Sequence, residues 1–104
     1  MAWGFLVIAG IFEIIWAISL KQVAATPSAM LWLRIAVAAT LSLVFLAAAM
    51  RTLPISIAYP LWVGFGILGT VMAGLILFNE QLGGLKITGL VLLLAGMTLL
   101  KAAD

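Results

Sequence analysis

Trp3-Gly-Phe-Leu-Val-Ile-Ala-Gly10-Ile-Phe-Glu13-Ile-Ile-Trp16-Ala-Ile-Ser-Leu20 is a greasy run with one carboxylate in its middle. As a helix it is long enough to cross a hydrocarbon layer of about 30 Å. Glu13 then sits near mid-depth, where no side chain can snorkel to water. A charge at the bilayer centre costs about 3 kcal/mol or more on insertion scales. The bland reading, an internal ion pair, needs a partner. No Lys or Arg stands at mid-depth in any other apolar run. The acid is therefore expected to have a function, as a group that holds a proton or a cation.

The rest of the chain matches this run. Of the 104 residues, 67% are hydrophobic and 8% charged, more apolar surface than a soluble domain of this size can hide. No basic residue precedes Trp3, and apolar runs continue to the C-terminus, so the first run is expected to be a span and not a cleaved leader. There is no Cys and no His, which removes disulfides, thiolate chemistry and the usual metal ligands and proton shuttle. The only acids are Glu13, Glu80 and Asp104. Neither an enzyme, nor a metal site, nor a cofactor is expected. The net charge of +2 is too small and dispersed for nucleic acid, and the bases fall near segment ends, where they meet lipid headgroups.

Four spans are expected, over about 3–20, 31–49, 55–78 and 85–100, forming a single all-α membrane domain. The connections are short. Ala24-Ala-Thr-Pro27-Ser28 is a turn with a helix-stopping Pro, Pro54 opens the third helix where it costs little, and Gly83-Gly84 ends a polar loop. With four spans both termini lie on one side, beside Arg51 and Lys101, against Lys21, Arg34 and Lys86 opposite. This near-balance gives the positive-inside rule almost nothing to act on. Insertion in both orientations is expected, and with it an antiparallel, dual-topology homodimer. Two chains then supply the inverted repeat that many transporters carry in one.

Each span has a face. On the first, Leu6, Ala9, Gly10, Trp16, Ala17 and Leu20 share the stripe of Glu13, while Val7, Ile11, Ile14 and Ile18 are expected to face lipid. Gly10 and its small neighbours let another helix approach closely. Trp16 is a site residue or an interfacial anchor. On the second, Ser42 is the polar residue nearest mid-depth, on a stripe with Ile35, Ala38, Ala39, Phe45, Leu46 and Ala49. Its hydroxyl is expected either to donate to the carboxylate or to bond its own helix one turn back. On the third, Tyr59 and Trp62 share a face with Gly66 and Gly69. Pro60 frees the carbonyl of Ser56, and Gly64 and Gly66 weaken the helix beyond, so a hinge is expected at the level of Glu13. On the fourth, Gly89 and Gly96, one heptad apart, form a seam for helix dimerisation.

These residues resemble the small multidrug resistance family over nearly the whole chain, and more closely its guanidinium exporter branch. The resemblance rests on four short spans, the lone acid in the first, Ala58-Tyr59…Trp62…Gly64-x-Gly66 in the third and Gly89…Gly96 in the fourth. Gly10 three residues before Glu13, Trp16 three after it, and the ending Leu100-Lys101 look like the guanidinium branch. The resemblance implies a proton-coupled antiporter in a bacterial cell membrane, working as an antiparallel dimer. Glu13 of both chains would take either protons or the cation, within Trp16, Ser42, Tyr59 and Trp62. Three departures bear on the substrate: Val23-Ala-Ala-Thr-Pro27-Ser-Ala-Met30 stands where the family usually has a Gly-Phe-Thr/Ser-Arg turn, Pro60 where Ala is usual, and Val63 where Thr or Ser is usual.

The chemistry stands without the family name. A planar guanidinium offers paired N–H donors that match a carboxylate fork, and indole faces can sandwich it. Bulky quaternary ammonium or other lipophilic cations are the alternative cargo: Trp16 argues against them, Val63 for them. An alternative of another class is a small helical subunit, non-transporting or hetero-oligomeric, that associates with a larger membrane protein or a paralogous chain and transports nothing alone.

Overall fold

The structure, a computed structural model, describes residues 1–103 and is built entirely of helices and connections within that range. The elements are α1 (Ala2–Ala25), α2 (Ala29–Ala49), α3 (Ile55–Leu77) and α4 (Gly84–Ala103). Each is long and apolar enough to cross a membrane. α1 continues past Leu20 through Lys21 and Gln22, and α4 runs past Leu100 to Ala103. Polar residues extend a helix beyond the hydrocarbon because the backbone still needs its hydrogen bonds at the headgroup level. Turn chemistry sets the breaks. Pro27 stops α1 from running on, and Ser28 takes extended backbone as the cap of α2. α3 ends where the Phe78 and Glu80 N–H groups both donate to the Gly74 carbonyl (3.3 and 2.9 Å). Asn79 adopts φ 53°, in the left-handed region that Asn tolerates.

The molecule is a flat slab of 42 × 35 × 16 Å. α1 lies against α2 along its length and crosses α3, whereas the α4 backbone approaches α3 alone. Buried apolar side chains join α1 (Leu6, Ala9), α2 (Leu46, Ala49) and α3 (Ile57, Ala58, Leu61, Trp62) into one core. Phe45 of α2 lies between Phe5 and Phe12 of α1, at 5.9 and 6.1 Å between ring centroids. α4 buries no residue.

The expected inner stripe of α2 is the one that packs: Ala38, Ser42, Leu46 and Ala49 are buried. α1 differs at Ile14, Ile18 and Leu20, with Ile18 half-buried where lipid exposure is expected. Ile14, expected toward lipid, is half-buried and fills the space over Gly69 of α3. Leu20, expected inward, is 39% exposed. α1 has two neighbours, so its buried arc widens past a single stripe where α3 crosses. Toward Leu20 that cover ends.

Candidate functional site

The α1–α3 crossing is built on glycine. A Cβ added to Gly10 would press on Phe65 of α3 at 3.0 Å. A Cβ on Gly69 would strike the end of Ile14. Between these two contacts, a Cβ on Gly66 would collide with the carboxyl group of Glu13. The missing side chains of α3 thus make the space in which the acid lies. Small residues at a membrane crossing allow backbones to approach without any hydrophobic drive between them.

Glu13 is half-buried, and its Oε1 is buried with no hydrogen-bond partner among the described residues. An unpaired polar atom out of water costs from about 1 to several kcal/mol, the more so for a charged group. An N–H donor from outside the described residues would supply the missing bond.

Next to it the polar groups are fully paired. The Trp62 indole N–H donates to Ser42 Oγ at 3.0 Å, and the Ser42 hydroxyl donates to the Ala9 carbonyl at 2.7 Å. Ser42 is fully buried and Trp62 nearly so. In a regular helix the Ala9 carbonyl is also the acceptor for the N–H of Glu13, four residues on. The relay therefore runs from α3 through α2 to the turn of α1 that carries the acid. Tyr59, half exposed, tilts against Trp62 at 48° with centroids 5.4 Å apart.

Of the residues singled out in the sequence, Ser42, Tyr59 and Trp62 form one connected group, and Gly66 meets Glu13. Neither expected bond of Ser42 is made: it donates neither to the carboxylate nor within α2, but across to α1. Trp16 lies one turn from Glu13, half-buried, and belongs to none of the aromatic pairs among the described residues. α3 runs through Pro60 as a single helix, with the proline exposed. The Ala9 carbonyl and the Gly69–Ile14 contact escaped sequence reasoning. Only the second left a signal, the repeat of Gly66 and Gly69 on one face.

α4 presents an open seam. A Cβ added at Gly89 or Gly96 would meet nothing within 4 Å. Where α4 approaches the α1–α3 pair, an apolar cavity of about 530 Å³ lies among Trp3, Leu6, Leu61, Phe65, Met97 and Lys101. Glu13 lines none of the four main cavities of the single chain.

The family model described as Small Multidrug Resistance protein matches residues 1–93. A guanidinium exporter of Yersinia pseudotuberculosis serotype I is 43% identical over 108 residues, covering 100% of both chains. A guanidinium exporter of Citrobacter freundii is 39% identical, and one of Escherichia coli K12 is 35% identical, each over 97% of this chain and 96% of the relative.

Proposed function

The chain belongs to the small multidrug resistance family of multi-pass transporters of the bacterial inner membrane, and on that premise we propose that it exports guanidinium or small substituted guanidinium cations in exchange for protons. One observation carries this reading: a lone acid in a membrane span, held over Gly66 with an oxygen unpaired. The relatives named guanidinium exporters support the class of cargo.

Glu13 is the binding group. A guanidinium presents two parallel N–H donors to the two carboxylate oxygens. Proton and cation need the same oxygens, so they bind in alternation. If the empty, charged site does not reorient, each outward cation is matched by inward protons. The indole faces of Trp16 and Trp62 are those that would sandwich the cation, worth up to about 2 kcal/mol when desolvated, with Tyr59 against Trp62. Trp62 and Ser42 hold the floor of the site through their mutual hydrogen bond.

The working unit in this proposal is an antiparallel homodimer. A slab 16 Å thick, with its acid in none of the main cavities, leaves a second chain to complete the passage. The open glycine face of α4 supports the same arrangement, with Gly89 and Gly96 packing against the partner's α4. Exchange of conformation between the two chains, flexing α3 at Pro60 and Gly64/Gly66, opens the site to each side in turn.

A second reading, export of lipophilic quaternary ammonium ions, draws on Val63. Its side chain packs against the apolar core and brings no hydroxyl beside Trp62. Currents recorded from reconstituted liposomes on adding guanidinium, then tetrapropylammonium, separate the two. A guanidinium current that vanishes in Glu13→Gln is expected. Current with tetrapropylammonium alone would move the chain to the second reading, and proton-driven export by Glu13→Gln would end both.

A further inference from the structure

The proposed transport cycle leaves the α1–α2 turn unused. Lys21, Gln22, Thr26, Ser28, Arg34 and Phe78 line a cavity of about 420 Å³ there, between the end of α1, the start of α2 and the end of α3. No carboxylate lines it. Arg34 Nη2 donates to Gln22 Oε1 at 3.2 Å, which ties the guanidinium to α1 and leaves its other N–H groups for a further acceptor. Lys21 Nζ stands 6.0 Å from the Phe78 ring centroid. Ser28 caps α2 without a side-chain hydrogen bond, so its hydroxyl is uncommitted there.

Two cations, hydroxyls and an amide thus surround one hollow. Lys21 lies near the end of α1 and Arg34 near the start of α2, which sets the hollow where a span leaves the hydrocarbon. The anion that is concentrated at that depth is the lipid phosphate. A phosphodiester accepts from a guanidinium fork and from hydroxyls, and a net negative headgroup balances the second cation.

We propose that this cavity binds the phosphodiester of an anionic phospholipid, with Arg34 and Lys21 as its charged contacts. The test is native mass spectrometry of the purified protein titrated with phosphatidylglycerol and, separately, with phosphatidylcholine. Retention of phosphatidylglycerol over phosphatidylcholine is expected. From the usual contribution of a basic residue at an anionic surface, Lys21→Gln or Arg34→Gln should weaken it about fivefold, and the double variant on the order of 30-fold. Lys21→Arg keeps the charge and should keep the lipid, and Arg51→Gln, exposed at the α2–α3 connection, should leave retention unchanged. Equal retention of phosphatidylcholine would overturn the proposal. So would loss of lipid in Lys21→Arg, or an Arg51→Gln effect as large as that of Arg34→Gln, which would mean diffuse attraction and no site. Displacement of the lipid by inorganic phosphate would make it a free-anion site and equally end the proposal.

Discussion

Ser42, bonded to the carbonyl one turn before Glu13, and Glu13 itself are both polar side chains within the spans, and the fold treats them in opposite ways. Ser42 is sealed between three helices, accepting from Trp62 and donating to the Ala9 carbonyl. Glu13 keeps an oxygen that nothing among the described residues bonds. In hydrocarbon surroundings a fully paired polar group fastens helices together, while an unpaired one is a cost that persists only where a ligand or proton relieves it. On the proposed function, Ser42 belongs to the architecture and Glu13 to the site. Removing Ser42 should cost the fold more than the chemistry, and removing the charge of Glu13 should do the reverse.

The largest expected effect is that of Glu13→Gln. Losing a charge-assisted pair of hydrogen bonds should lower guanidinium affinity by about 100-fold or more. Thermal unfolding in detergent should move little, because the carboxyl stabilises nothing in the single chain. A large drop in Tm would mean that the acid is structural and would erase the contrast. Competition gives the sign of the pH effect. Where Glu13 is protonated, each further fall of one pH unit should weaken apparent guanidinium binding by about tenfold, one proton displacing one cation. Tryptophan fluorescence titrated at several pH values reads it, and a flat profile would break the proposed exchange.

Gly66→Ala comes next, since a Cβ there runs into the Glu13 carboxyl. The acid must shift, at an overpacking cost of about 1–3 kcal/mol, and transport should fall by about tenfold or more. Ser42→Ala should act on stability first. It strands the buried Trp62 N–H and unties α2 from α1, for about 1 kcal/mol on the scale of hydrogen bonds inside membrane bundles. A Ser42→Ala protein that keeps its Tm but loses guanidinium binding would place Ser42 with Glu13 and not opposite it.

The four spans were legible because hydrophobic run length is a local signal, and Glu13 stood out as a misplaced charge for the same reason. So was the α2 face, since a helix with one main neighbour shows one stripe. The partner of Ser42 was not legible. Its hydroxyl reaches a backbone carbonyl on another helix, and any residue supplies the same carbonyl, so Ala9 carries no mark in the sequence. Ile14 was misplaced for a related reason. The width of a buried arc depends on how many helices cross it, and α3 crosses α1 where Gly66 and Gly69 let it come close. The glycines were visible, but which residue of α1 fills each gap depends on the crossing geometry.

Gly64→Ala gives the smallest effect and the sharpest check on what these glycines do. The three atoms nearest its Cβ would all be in the Met97 side chain, the sulfur at 2.6 Å. Met has three rotatable bonds and can swing aside at little cost, whereas at Gly66 it is the Glu13 carboxyl itself that would have to move. Ala also gains about 0.5–1 kcal/mol over Gly inside a helix, which offsets the rearrangement. Stability should therefore change by less than about 1 kcal/mol, in either direction. Transport then separates two roles. If Gly64 only accommodates Met97, the guanidinium current stays close to that of the unaltered chain. If α3 must flex there for the two chains to exchange conformation, the current falls while binding and Tm hold, because stiffening a hinge slows turnover without touching the site. The second pattern at Gly64, against lost binding at Gly66, would assign motion to one glycine and room for the acid to the other.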